Sequence, residues 1–173
     1  MTWLTKGFGL AVWFGLALAG ASAQTAVGGS APLYEGQPKP RVFEIRGAEV
    51  LDVQSGLIWQ RCSVGQTWVA QQGCVGQVRN FSFEQAQQAA AGRWRLPTQY
   101  ELAKLIDHGR AYQDLSPTID ANAFPNMDPA QLWYWTSAAD GPYVAWYVSF
   151  VDGRFSIDGR NFRYAVRLVR DKA

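Results

Sequence analysis

The sequence predicts a single α+β domain with two helices, an antiparallel sheet and a long irregular loop. Three observations carry this prediction. Apolar residues alternate as in strands at both ends of the region 42–171. Two segments with helix-capping signals lie between these ends, and a proline-rich stretch without periodicity follows the second of them. The length of 173 residues suits one domain that buries a real core.

Composition and charge narrow the classes of function. With 48% hydrophobic and 17% charged residues, the chain is unlike disordered proteins, which combine low hydrophobicity with high net charge. The 16 basic residues exceed the 14 acidic residues by only two, and no basic stripe is visible. No nucleic-acid partner is expected, because phosphate binding needs clustered positive charge. The 14% aromatic content favours β-structure and aromatic packing.

The N-terminal residues have the features of an export signal. Lys6 precedes an uncharged apolar run over 7–18, and Ala21-Ser22-Ala23 matches a cleavage motif. We therefore predict a signal peptide over 1–23 and export to the periplasm or the cell surface. The apolar run is too short to cross a bilayer, so no membrane span is expected in the mature chain. Residues 24–41, rich in Gly and Pro, are expected to form a flexible leader.

Both cysteines, Cys62 and Cys74, follow the predicted cleavage site. Because exported proteins favour disulfides, we expect these two residues to be bonded to each other. The segment between them contains no His or carboxylate, and His108, the single histidine, is distant in sequence. We accordingly predict neither a metal nor a cofactor.

The first strands are expected from residue 42 onward. Phe43 and Ile45 alternate with polar residues, and a turn at 54–56 leads into the apolar run 57–59. These segments predict the first part of an antiparallel sheet.

Two capping-box pairs, Ser82–Gln85 and Thr98–Glu101, predict where the helices begin. Gly92 and Gly109 stand where the two helices would end. Residues 110–130 contain three X-Pro pairs and no clear periodicity, which predicts the long ordered loop.

The C-terminal third is expected to return to strands. Apolar residues alternate over 146–150, Asp152-Gly153 is a strong hairpin signal, and Asp158-Gly159 offers a second turn. In the last strand, the apolar face is predicted to consist of Tyr164, Val166 and Leu168.

Several local patterns, taken in their order and spacing, resemble the Lcl C-terminal domain family, also known as DUF1566. They include Gly56-Leu57-Ile58-Trp59-Gln60-Arg61-Cys62, Gly65-Gln66-Thr67-Trp68, Trp94-Arg95-Leu96-Pro97-Thr98, Phe124-Pro125-Asn126, Trp135-Thr136-Ser137 and Val166-Arg167-Leu168-Val169-Arg170. The resemblance implies a C-type-lectin-like fold and bacterial secretion or surface display. It also implies glycan binding, which is the property of the adhesin that names the family.

A calcium site of the kind found in many lectins of that fold is not expected. Such lectins use a carboxylate–Pro–Asn triplet, and the nearest match here, Phe124-Pro125-Asn126, lacks the carboxylate. Asp128 alone adds too few oxygens for a calcium cage. Asn126 nevertheless stays among the candidate ligand-binding residues.

Aromatic rings near the C-terminal strands are the other candidates, because a ligand site combines aromatic walls with a few polar groups. Trp135 and Trp146, which stand in the family pattern, are expected to fill the core. Alternation then predicts that Tyr134 points away from Trp133 and Trp135. Core packing is the competing interpretation for every one of these rings. Four arginines would suit an acidic polymer if they share a face, or would merely protect an edge strand: Arg160, Arg163, Arg167 and Arg170. The candidate ligand-binding residues are Trp133, Tyr134, Tyr143, Tyr147, Asn126 and Arg163.

The function predicted from these residues is that of a secreted, non-catalytic, lectin-like module that binds a surface polysaccharide or another envelope component. No GxSxG, P-loop or HExxH pattern occurs. His108 is interpreted as a helix C-terminal residue favoured by the macrodipole. The alternative is a structural or interaction subunit of an envelope or appendage assembly, with an apolar patch closing a homo-oligomer.

Overall fold

A computed structural model describes residues 41–172. The predicted signal peptide (1–23) and all of the predicted leader except Arg41 lie outside the described residues. Within the described part of the chain, no helix has both the length and the apolar character needed to cross a bilayer.

Three antiparallel sheets and three short helices build the domain, which confirms the predicted α+β class. In chain order, the elements are β1 (Phe43–Arg46), β2 (Glu49–Asp52), β3 (Ile58–Gln60), β4 (Thr67–Val69), β5 (Gly73–Val75), α1 (Phe83–Gln88), α2 (Gln99–Ala103), α3 (His108–Tyr112), β6 (Trp133–Asp140), β7 (Val144–Ser149), β8 (Arg154–Gly159) and β9 (Val169–Arg170). The strand orders are β1-β2-β3-β9, β4-β5 and β6-β7-β8. The first sheet therefore joins the two ends of the domain.

The helices begin as predicted but differ in number and length. Both capping boxes are formed, at Ser82 for α1 and at Thr98 for α2. The prediction of two helices is wrong, because Asp107 accepts a hydrogen bond from the backbone N–H of Arg110 and caps a third helix. His108 consequently begins α3 instead of ending α2, and the first residues of the expected loop are helical.

The C-terminal strands also differ from the prediction. The hairpin at Asp152-Gly153 is confirmed, since it joins β7 to β8. The second turn lies slightly later than predicted, because β8 stays paired with β7 up to Gly159 opposite Val144 and the turn follows, closed by the hydrogen bond from the Phe162 backbone N–H to the Gly159 oxygen. The expected last strand is reduced to β9, and residues 165–169 are all buried because the segment is covered on both sides.

The sheet β6-β7-β8 separates two groups of buried side chains. Tyr134 and Val148 face the larger group, together with Leu102 of α2. Trp135 faces the smaller group, together with Phe83 of α1. The predicted core position of Trp135 is confirmed, since none of its surface is exposed. The same prediction is wrong for Trp146, which is only partly buried and packs against Phe155 of β8.

The predicted disulfide between Cys62 and Cys74 is present. The disulfide joins the residue two positions after the end of β3 to the middle of β5, and so closes a loop that contains β4. Asn126 adds a second attachment, because its Oδ1 accepts a hydrogen bond from the Cys74 backbone N–H at 3.1 Å. The loop is thereby fixed to the body of the domain at two points.

Candidate functional site

Tyr134 is a correction to the predicted site. None of its surface is exposed, and its hydroxyl lies 2.7 Å from Ser63 Oγ and also contacts Met127 Sδ. The predicted alternation along β6 holds, but it turns Tyr134 into the larger core group and not toward solvent. Its ring therefore cannot contact an external ligand.

Two other predicted aromatics belong to a cluster centred on Tyr164. The ring centroids of Trp133 and Tyr147 lie 6.4 and 4.9 Å from that of Tyr164, and Phe162 lies 6.3 Å away. The Tyr164 hydroxyl donates a 2.5 Å hydrogen bond to Asp158 Oδ2. Burial, and then this carboxylate, raise the pKa of Tyr164 far above its ordinary value. Trp133 and Phe162 are the rings of this cluster with more than a third of their surface exposed.

The remaining predicted residues lie elsewhere. Tyr143 is 81% exposed in the turn between β6 and β7. Asn126 holds the Cys74 backbone, and Arg163 donates to the backbone oxygen of Asn80 at 2.9 Å. The structure therefore brings Trp133 and Tyr147 together but does not unite the six residues into one site.

The four C-terminal arginines do not share a face. Arg167 is buried, Arg170 forms an ion pair with Glu49 at 2.7 Å, and Arg160 lies 3.8 Å from a carboxylate oxygen of Glu84. The condition for binding an acidic polymer through these four arginines, that they share a face, is therefore not met. The physical reason is that the segment 165–169 runs through the core, where alternation no longer separates an inner from an outer side.

A cavity of about 520 Å³ opens beside the disulfide-closed loop, and its volume is in the range typical of ligand sites. Trp68 and Trp94 supply its aromatic surface, and Ser63 and Gln66 are among its polar groups. The full lining is Ala48, Glu49, Gln60, Cys62, Ser63, Val64, Gly65, Gln66, Thr67, Trp68, Ala89, Ala91, Trp94 and Leu168. We call this space the disulfide-loop cavity.

Local hydrogen bonds hold the loop side of this cavity in place. The Gln66 side chain accepts from the Ser63 backbone N–H at 3.3 Å and donates to the Asn126 backbone oxygen at 3.2 Å. Gly65 has a φ of +103°, and a Cβ there would approach the backbone oxygen of Gln77 to 2.5 Å. The tight course of the loop therefore requires glycine at this position.

Two guanidinium groups pack against the aromatic rings that line the cavity. The Arg61 guanidinium lies 4.0 Å from the ring centroid of Trp68, and that of Arg170 lies 5.3 Å from the ring centroid of Trp94. Arg170 is paired with Glu49, which is the carboxylate in the cavity lining. Arg61 and Arg170 together with Glu49 therefore leave a net positive charge beside the cavity.

Arg167 adds a third guanidinium directly behind the cavity wall. It donates to Ser63 Oγ at 3.2 Å, and Ser63 lines the cavity. Its other hydrogen bonds go to neutral acceptors, namely the backbone oxygens of Gln60 and Arg61 and the sulfur of Met127. Burial lowers the pKa of Arg167, yet a guanidinium stays charged in proteins.

The sequence prediction missed Trp68 and Trp94. Both stand in patterns that carry the family resemblance, and neither belongs to a long alternating strand. Those two facts together were the available signal that these rings serve something other than the main core.

Among residues 41–172, no group of three or more His, Cys, Asp or Glu side chains is placed to hold a metal ion. A comparison with protein families matches residues 48–170 to the Lcl C-terminal domain. No curated protein matches the chain.

Proposed function

The chain belongs to the Lcl C-terminal domain family, and on that premise we propose that it is an exported, non-catalytic module with a C-type-lectin-like fold that binds an acidic polysaccharide of the cell surface or envelope. The observation that carries the proposal is the disulfide-loop cavity, where two tryptophans stand beside an excess of guanidinium groups.

The two tryptophans support a sugar as the ligand class. Sugars present apolar C–H faces to aromatic rings and hydroxyls to nearby polar groups, and the cavity offers both kinds of surface. Because a guanidinium covers one face of Trp68 and one face of Trp94, a sugar ring would pack against the opposite faces. Gln60 and Thr67, which also line the cavity, supply amide and hydroxyl groups for its hydroxyls.

The charges around the cavity support an acidic sugar in particular. Arg61, Arg167 and Arg170 lie at or behind the wall, and Glu49 compensates one of them. The guanidiniums that Glu49 does not compensate favour a ligand that carries carboxylate or sulfate groups. Binding would weaken with added salt, since part of this attraction crosses solvent.

The carboxylate content of the cavity supports a non-catalytic role. Glycoside hydrolysis needs two carboxylates that flank the scissile bond. The lining of the disulfide-loop cavity contains one carboxylate, Glu49, and it is paired with Arg170.

The test is a titration of the full chain, expressed with its own N-terminus, with polygalacturonate, a sulfated dextran and neutral dextran. We expect binding to the two acidic polymers, weakened by salt, and no binding to neutral dextran. Trp94→Ala removes one ring, and Ala91→Trp fills the cavity from its exposed rim. Each variant should lower affinity at least about tenfold, which corresponds to about 1.4 kcal/mol.

Two matched controls keep the result specific. Trp133→Ala removes an exposed ring of the Tyr164 cluster. Ala90→Trp places the same bulk at an exposed position that stands between the lining residues Ala89 and Ala91 but does not itself line the cavity. Both should bind like the unmodified chain. Loss of binding in Trp133→Ala with normal binding in Trp94→Ala would move the site to the Tyr164 cluster. Equal binding of neutral dextran, or no binding of any of the three polymers, would overturn the proposal.

A further inference from the structure

Strand β8 has an unprotected edge. It pairs with β7 over six residues without a bulge, and no strand pairs with its other side in the part of the chain that the structure describes. Exposed edges are usually blunted by charged side chains, above all Lys, by Pro or by a bulge. The sequence Arg-Phe-Ser-Ile-Asp-Gly has no Lys, Pro or bulge, and its two charged residues, Arg154 and Asp158, carry opposite signs. Phe155 and Ile157 are instead 51% and 41% exposed.

The hydrogen-bonding ladder identifies which backbone groups of β8 are free. Arg160 donates its backbone N–H to Tyr143 of the neighbouring strand end. Because this pattern alternates along an antiparallel pair, the backbone groups of Arg154, Ser156 and Asp158 point toward β7. Those of Phe155 and Ile157 point outward and are available to another strand.

The side chains of β8 are complementary to a second copy of the same strand. If two copies pair antiparallel about Ser156, Phe155 of each faces Ile157 of the other, and Arg154 faces Asp158. The Phe155–Ile157 positions then coincide with the free backbone groups. Arg154 and Asp158 fall at the non-hydrogen-bonded positions, where opposed side chains come closest.

We propose that two copies of this chain dimerise through antiparallel β8 strands centred on Ser156, which extends β6-β7-β8 into a continuous six-stranded sheet. The pairing buries four apolar side chains and forms two ion pairs by symmetry. It uses no residue of the disulfide-loop cavity, so it stands or falls independently of polysaccharide binding.

The first test is the mass of the full chain in solution, measured by sedimentation equilibrium over a concentration series. The unmodified chain should reach twice the monomer mass. Phe155→Lys should remain monomeric at concentrations where the unmodified chain is dimeric, because it places a charge opposite Ile157. Phe162→Lys is the matched control, with an equally exposed ring (50%) outside β8, and should dimerise normally.

The register has its own test by oxidative crosslinking. Ser156→Cys faces its own copy at about 4.5 Å between Cα atoms, within reach of a disulfide. Arg154→Cys faces Asp158 of the other copy and should not crosslink to itself. The expected result is a reducible covalent dimer for Ser156→Cys alone.

Three outcomes would overturn the proposal. The first is an unmodified chain that stays monomeric up to about 1 mM. The second is a dimer that Phe155→Lys leaves intact. The third is a dimer that crosslinks at Arg154→Cys in preference to Ser156→Cys, because that result requires a different register.

Discussion

Replacing Arg167 with Met should lower the free energy of unfolding by about 3 kcal/mol, as the difference between two larger effects. Arg167 is buried, and its hydrogen bonds go to neutral acceptors. Met keeps much of the length and apolar contact of the side chain, including the packing on Phe124. It removes the charge and all of the guanidinium donors.

The magnitude follows from the hydrogen bonds that are lost. Three oxygen atoms accept hydrogen bonds from the Arg167 guanidinium: the backbone oxygens of Gln60 (2.9 Å) and Arg61, and Ser63 Oγ (3.2 Å). A hydrogen bond from a charged donor contributes about 1.5 to 3 kcal/mol, so the three together contribute about 4.5 to 9 kcal/mol. Burying the charge costs several kcal/mol, which leaves a net contribution of about 3 kcal/mol.

Urea unfolding followed by tryptophan fluorescence measures the difference. For a small domain, about 3 kcal/mol corresponds to a fall of about 1 to 2 M in the urea midpoint. Arg167→Lys should be at least as destabilising, since Lys keeps the buried charge but lacks the planar fork. Arg163→Met is the control, because Arg163 is exposed, and it should change stability by less than about 0.5 kcal/mol.

A stable Arg167→Met variant would refute this reasoning. If its midpoint equals or exceeds that of the unmodified chain, the cost of burying the charge dominates and the hydrogen bonds do not repay it. Destabilisation by Lys but not by Met would refute it equally, since the charge rather than the lost donors would then decide stability.

Three further predictions concern the parts of the domain that hold the cavity and its neighbours. Acidification below about pH 4.5 should destabilise the domain. Burial alone would raise the pKa of Glu101, but hydrogen bonds from Arg95 and Thr98 outweigh burial and lower that pKa below 4.5. The stability that Glu101 contributes is therefore present above its pKa in the unfolded state and is lost as pH falls through its pKa in the folded state. Glu101→Gln should flatten that part of the pH–stability curve, and an unchanged curve would contradict the prediction. Reducing the disulfide, or replacing both cysteines with Ser, should cost about 3 kcal/mol in urea unfolding, and a cost below about 1 kcal/mol would count against a stabilising loop closure. Asn126 has a φ of +55°, in the left-handed region that Gly adopts without strain. Asn126→Gly should therefore lose only the hydrogen bond to the Cys74 backbone, whereas Asn126→Ala should lower the free energy of unfolding by about 1 kcal/mol more. Equal stabilities of the two variants would show that the left-handed conformation carries no cost.

The features that the sequence predicted correctly depend on residues close together in the chain. The capping boxes at Ser82 and Thr98 each join residues three apart, and the hairpin at Asp152-Gly153 is specified by the turn itself. The disulfide joins residues only twelve apart. In each case the physical cause acts within one turn or one loop, so a pattern in the sequence is sufficient to predict it.

The errors arise where burial depends on distant segments. Alternation placed Tyr134 on the side opposite Trp133 correctly, but it could not say which side faces solvent, because core groups cover both faces of the sheet. The C-terminal arginines do not share a face for the same reason. A strand with both faces covered buries every residue, and the charge on Arg167 then needs acceptors that lie more than 100 residues earlier.

The disulfide-loop cavity is the extreme case of this dependence. Arg170 and Glu49, which pair beside it, are 121 residues apart, and Arg167 reaches Ser63 across 104 residues. Its aromatic surface joins Trp68, on β4, to Trp94, beyond α1. No periodicity links these positions, because the cavity exists only after β9 has closed the first sheet against β3. If the proposed polysaccharide site is this cavity, a variant that loosens β9 should weaken binding without touching a cavity residue. The proposed β8 dimer, which is specified within six consecutive residues, should survive the same variant.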